Sequence, residues 1–166
     1  MIVWRVAIKQ NASPLNALSG EGAKVFGNRW NHRGTPVAYC SENLSLAVLE
    51  YLIGTNVDDL PETLMKIKIE LPDSQEHYEI LKTDEPMYSN DYSQQKQMCK
   101  DFGTEWAIEK RSLVLLAPSF IVPENNNIMI NPQHPDARLI NILDIAPFQV
   151  DPRIKIRYSK DASTKN

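Results

Sequence analysis

Thr63-Leu64-Met65-Lys66-Ile67-Lys68-Ile69-Glu70-Leu71 decides the fold class. From Met65 onward, apolar and polar side chains alternate. That is the two-residue period of a strand with one face in a core and the other in water. Working outward, other segments repeat the signal. Residues 112–117 (SLVLLA) form an apolar run that predicts a buried strand, and residues 2–8 (IVWRVAI) are β-branched and apolar, interrupted only by Arg5. Shorter strands are expected over 36–40 and 138–143, with a last edge strand over 151–158.

Helical signals are fewer. Residues 43–53 predict a helix with Ser41 as N-cap, Glu42 in its first turn and Gly54 past its end. Residues 91–110 have helical composition, with Gly103 expected to split them into two shorter helices. Residues 19–28 and 131–135 are expected as loops and 123–127 as a turn, while the polar, irregular stretch 72–89 reads as a candidate lid. Strands outnumber helices, and several have no helix between them. The expected fold is therefore α+β, with mixed or antiparallel sheets and flanking helices, and not a doubly wound parallel sheet.

The chain has 166 residues, which fits one domain over 1–158 followed by a frayed polar tail over 159–166. Net charge is −3, without the basic surplus expected of a protein that binds nucleic acid through backbone phosphates. The two cysteines, Cys40 and Cys99, form no C-x-x-C pair, and the three histidines, His32, His77 and His134, fit no ligand spacing, so no metal is expected. No basic start with a long apolar run opens the chain. The longest apolar stretch is broken by Pro118, leading to the expectation of a cytoplasmic protein with no membrane partner. Gly20, Gly22 and Gly27 lack the G-x-G-x-x-G spacing of a Rossmann dinucleotide site.

Five residues invite a chemical reading. Glu50 shares a helix face with Leu46, Ala47 and Ile53, where a carboxylate must be paired, protonated or used; it reads equally as a boundary residue facing water. Arg29 follows a glycine-rich loop, where its fork suits a pyrophosphate, or it stacks on Trp30. Arg5 is either an outward strand residue or a second anion contact. Tyr39 ends a short strand, as a core aromatic or as a platform for a ligand ring. Ser119 follows the buried strand, as a turn residue or a ligand contact. A triad of Ser119, His134 and Asp136 lacks a G-x-S-x-G elbow, and His134 between two prolines reads better as a loop-fixing residue.

Taken in order, these residues resemble a known family. Gly27-Asn28-Arg29-Trp30-Asn31, then Gly34-Thr35-Pro36-Val37-Ala38-Tyr39, then Ser45-Leu46-Ala47-Val48-Leu49-Glu50 resemble the opening of the RES domain, and Ala117-Pro118-Ser119 and Asn131-Pro132-Gln133-His134-Pro135-Asp136 continue the likeness. Asn28 departs from it, standing where the family often has a second glycine.

The resemblance implies a fold similar to ADP-ribosyltransferases of the diphtheria-toxin type. It implies the toxin of a toxin–antitoxin pair, cleaving the nicotinamide–ribose bond of NAD⁺ as a glycohydrolase or phosphorylase. Arg29, Tyr39, Glu50 and Ser119 would be its catalytic set, and Arg5, Arg29, Tyr39 and Ser119 would hold NAD⁺, which is substrate and not cofactor. A mono-ADP-ribosyltransferase acting on a protein is the alternative, and a non-enzymatic antitoxin-binding module a further one. The implied partner is a helix-turn-helix antitoxin, with DNA reached only through it and a homodimer or toxin–antitoxin hetero-oligomer as the assembly.

Overall fold

The computed structural model describes residues 1–56, 59–88 and 91–154. Seven strands form one sheet: β1 (Ile2–Ala7), β2 (Ala38–Ser41), β3 (Thr63–Glu70), β4 (Tyr78–Ile80), β5 (Val114–Pro118), β6 (Asn126–Ile130) and β7 (Asn141–Gln149). Their spatial order is β4-β5-β6-β2-β1-β3-β7. Only β4 and β5 run parallel; every other pair is antiparallel. Helices α1 (Glu21–Phe26), α2 (Leu44–Ile53) and α3 (Tyr92–Glu109) flank the sheet. The architecture is mixed α+β, as the alternation predicts.

The alternation of β3 appears directly in its burial. Ile67, Ile69 and Leu71 are buried, while Lys66, Lys68 and Glu70 reach toward solvent. The buried set joins Val3, Ala38, Val114 and Ile128 in one core. A second core lies under α3, where Trp106 and Cys99 pack with Trp30, Leu115 and Met129. A third joins α2 to the far half of the sheet, through Ala47 with Val6, Leu64 and Val150.

The sheet is weakest at its middle. β1 pairs with β3 over six residues but meets β2 at a single register pair, Trp4 with Ser41. Two half-sheets, β4-β5-β6-β2 and β1-β3-β7, thus diverge from one contact.

Several expectations change. The expected loop over 19–28 contains α1, which starts after Gly20 at φ 68°. Ser41 lies within β2, and the N-cap of α2 is Asn43, whose side chain accepts a 2.8 Å hydrogen bond from the Leu46 amide. The stretch 72–89 holds β4 and two 3₁₀ turns, Gln75–His77 and Pro86–Tyr88. The turn expected over 123–127 gives way to β6 from Asn126, because a run of three asparagines hid the strand start. The expected strand over 138–143 begins later and runs longer, as β7, after a 3₁₀ turn over Pro135–Leu139. β7 is an edge strand, which explains how it accommodates Pro147. The expected edge strand over 151–158 begins as a helical turn at residues 152–154; its remainder and the tail over 159–166 lie outside the described residues.

Gly103 does not break its helix. α3 is continuous through it, and the glycine serves packing: a Cβ there would overlap the Trp30 carbonyl oxygen and come within 3.0 Å of the Trp30 carbonyl carbon. On an open helix surface Gly→Ala stabilises by about 1 kcal/mol. Here the clash is with backbone that cannot rotate away, so the sign should reverse. Gly103→Ala is expected to lower stability by about 3 kcal/mol in urea unfolding, as overpacking does; a stabilised variant would refute the close approach.

Candidate active site

Where the half-sheets part, a cavity of about 930 Å³ opens. Its wall includes Arg5 from β1, Arg29 from the loop after α1, Tyr39 from β2, Glu50 from α2 and Phe120 from the chain leaving β5. Gly27 makes the turn from α1 toward Arg29 at φ 69°, ψ 163°, a backbone region open almost only to glycine. Lys96 and Lys100, one turn apart on α3, also line the wall. Among the described lining residues the cations are Arg5, Arg29, Lys96 and Lys100, and the only carboxylate is Glu50. A cationic cleft within a chain of net charge −3 focuses field on anions.

Glu50 sits in the last turn of α2, half-buried beside the buried Leu46 and Ala47. Ile53, expected on the same face, is 59% exposed, so Glu50 marks where that face meets the cavity. A helix C-terminus carries partial negative charge and does not favour a carboxylate. Support comes from elsewhere. The Ser119 hydroxyl donates to Oε1 of Glu50 at 2.8 Å, and the Asn127 side-chain amide donates to the same oxygen at 2.6 Å. Ser119 itself is 1% exposed and does not line the cavity, and its oxygen also accepts from the amides of Ile121 and Val122.

The two arginines are held differently. Arg5 donates from Nη1 to the Tyr39 carbonyl at 2.7 Å, spanning the gap between β1 and β2. Arg29 lies over the Phe120 ring, 4.4 Å from its centroid, and over the Tyr92 ring at 5.4 Å. Nε of Arg5 and Nη1 of Arg29 are buried and have no hydrogen-bond partner among the described residues. Both residues line the cavity, where a guanidinium fork suits an anionic ligand. Cys99 is buried beside Arg29; burial pushes its thiol up to about 11, the arginine pulling the other way, so it stays neutral.

Tyr39 combines both readings offered for it. Its ring packs into the core under α3 and also borders the cavity. Its hydroxyl donates to Oδ1 of Asn31 at 2.7 Å and accepts from the Trp30 amide at 3.0 Å, fixing the backbone next to Arg29.

Ser119, His134 and Asp136 do not form a triad. Ser119 is engaged with Glu50, and His134 Nδ1 accepts from the Asp136 amide at 3.2 Å, capping the 3₁₀ turn. Among the described residues no cluster of three or more His, Cys, Asp and Glu side chains is placed to hold a metal ion. No described helix is long and apolar enough to cross a membrane.

Sequence reasoning missed Asn127 and Phe120. Asn127 was hidden in the asparagine run, although the apolar Ile128-Met129-Ile130 after it was a strand signal. Phe120 next to Ser119 carried no signal of its contact with Arg29.

Residues 2–151 match the family model of the RES domain. The chain belongs to the RES domain family. It is 35% identical over 157 residues to the Prs ADP-ribosylating toxin of Sphingobium sp. (strain YBL2), covering 91% of this chain and 94% of that one. It is 32% identical over 155 residues to Toxin Res of Photorhabdus laumondii, covering 93% and 97%. In fold, this chain resembles the crystal structure of the M. tuberculosis MbcT–MbcA toxin–antitoxin complex, with a TM-score of 0.68 at 17% identity over 96% of this chain and 88% of the matched one.

Burial raises the Tyr39 hydroxyl well above its ordinary value of 10.0 and raises Tyr88 in the same direction. The folded chain therefore keeps protons that the unfolded chain loses above pH 10. This stabilisation is complete below that pH and is lost as pH rises past it. Alkaline titration followed by tyrosine absorbance should show these two hydroxyls ionising only with unfolding; smooth ionisation of all tyrosines in the folded state would contradict the burial.

Proposed function

We propose that this RES-domain toxin binds NAD⁺ in the cleft between the half-sheets and breaks the bond between nicotinamide N1 and ribose C1′. The observation that carries the reading is a cavity whose described wall sets Arg5, Arg29, Lys96 and Lys100 around one carboxylate, Glu50, which Ser119 and Asn127 hold by hydrogen bonds. The Arg29 fork suits the pyrophosphate, with Arg5 as a second contact. Tyr39, its hydroxyl already engaged, offers the nicotinamide only its ring.

The bonding electrons leave with nicotinamide, which departs as a neutral molecule, so the step needs no general acid. Positive charge builds on C1′ and the ring oxygen, as in glycoside hydrolysis. Glu50 supplies the fixed anion that favours that charge. Ser119 acts through Glu50, holding its carboxylate still, and not through the ligand. A nucleophile then adds to C1′ and gives its proton to solvent.

Water or phosphate as nucleophile makes the protein an NAD⁺ glycohydrolase or phosphorylase. Transfer of ADP-ribose to a protein side chain is the second reading, favoured by the relative named an ADP-ribosylating toxin. A helix-turn-helix antitoxin is the proposed partner, in line with the antitoxin in the related complex; DNA would be reached only through it. Product analysis of the antitoxin-free protein with NAD⁺, with and without phosphate and with cell lysate, separates these readings. Unchanged NAD⁺ in every arm would favour a non-enzymatic module and overturn the proposal.

Glu50→Gln is expected to keep the fold and lower NAD⁺ turnover by about 100-fold, as loss of transition-state electrostatics does. Arg29→Ala should chiefly raise KM, because phosphate binding acts equally on ground and transition states. Steady-state kinetics check both, and a purely kcat defect in Arg29→Ala would remove the clamp.

A further inference from the structure

Arg29 poses a problem of support. It is a long, flexible cation whose Nη1 is buried and unpartnered, and no ion pair holds it among the described residues. A carboxylate would hold it but would occupy the N–H groups that a phosphate needs. An aromatic face holds a guanidinium from above and leaves its edge free. Phe120, 4.4 Å from the Arg29 carbon to the ring centroid, is placed to do this.

Phe120 is supported in turn. Its ring stacks on Tyr88 with centroids 4.6 Å apart and planes 18° apart. The Tyr88 hydroxyl donates to the Pro118 carbonyl at 2.9 Å. Between these two contacts sits Ser119, whose hydroxyl holds Glu50. Tyr88 thus clamps a three-residue segment, Pro118-Ser119-Phe120, that reaches the anion of the site through one residue and its cation through the next. Tyr88 itself does not line the cavity.

We propose that Phe120 and Tyr88 are positioning residues: Phe120 holds the Arg29 guanidinium at the cavity wall without occupying its N–H groups, and Tyr88 braces the segment that sets Arg29 and Glu50 together. This rests on the reading of the cleft as an NAD⁺ site. It assigns a task to the Pro86–Tyr88 turn, within the stretch expected as a lid: the turn is a brace under the cation and not a cover over the cleft.

The test combines NAD⁺ kinetics with calorimetric binding of ADP-ribose, which carries the pyrophosphate but cannot react. Phe120→Leu should raise the NAD⁺ KM and the ADP-ribose Kd about 10-fold with kcat within about twofold, the scale of a desolvated cation–π contact. Phe120→Tyr, which keeps the ring, should restore both. In an Arg29→Ala background, Phe120→Leu should weaken ADP-ribose binding no further, because its effect runs through the arginine.

Equal weakening in that background would show Phe120 touching the ligand directly and overturn the role. Tyr88→Leu, away from the cavity, should weaken ADP-ribose binding about threefold alone and add little to Phe120→Leu; unchanged binding would overturn the brace, and this variant carries the test should Phe120→Leu fail to fold. A wild type that neither binds ADP-ribose nor consumes NAD⁺ would overturn the NAD⁺ reading itself. A wild type that does both while Phe120→Leu matches it would overturn only the positioning role.

Discussion

A sheet whose two halves touch at one register pair, Trp4 with Ser41, must fill or brace the space where its strands part. Strand edges that diverge expose backbone N–H and C=O groups with no ladder partner, and buried groups of that kind need acceptors or water. Arg5 meets part of this need by reaching from β1 to the Tyr39 carbonyl on β2. The contact makes the gap a defined cleft with a charged side chain across it. Each proposed functional group reaches the cleft from an element that the divergence leaves facing it: Arg5 and Tyr39 from the parted strands, Glu50 from α2 and Arg29 from the loop beneath α3.

Charge follows from the same geometry. The chain is acidic overall, yet the described wall of the cleft holds four cations and one carboxylate. Glu50 is a lone anion at the unfavourable end of its own helix, and its stability there depends on donors contributed by Ser119 and Asn127, about seventy residues away. Arg29 is the converse: a cation without an ion-pair partner among the described residues, supported by ring faces. The anion is held by hydrogen-bond donors, and the cation by ring faces that leave its N–H groups without a carboxylate among the described residues. This asymmetry suits a ligand that is anionic at its phosphates and becomes cationic at the reacting sugar.

The sequence showed fold class better than boundaries. The alternation in β3 and the apolar run of β5 were legible because each depends on local periodicity. β6 was not, since its first residues are asparagines whose value lies in what they bond across the sheet. Gly103 read as a helix break because glycine is permissive in isolation; the Trp30 backbone packed against it is invisible to any local window. For the site, Arg29, Tyr39, Glu50 and Ser119 gained weight from their order along the chain and their likeness to a family. The structure adds which of them line the cleft and which stand behind it. Ser119 stands behind, a distinction that only burial and hydrogen bonding reveal.

The placement of these groups makes the site a property of the whole fold. Arg5 belongs to the first strand, Glu50 to α2, and their partners to segments near residues 39, 119 and 127. None of these contacts is internal to one hairpin or one helix, so partial unfolding of either half-sheet would release at least one of them. Local order cannot build such a site early in folding, because each contact waits on closure of a long loop. The close packing of Gly103 on Trp30 and the engaged hydroxyl of Tyr39 hold the Arg29 loop from two directions. Rigid support of that kind is what a cleft needs if it must hold a guanidinium in place for a ligand.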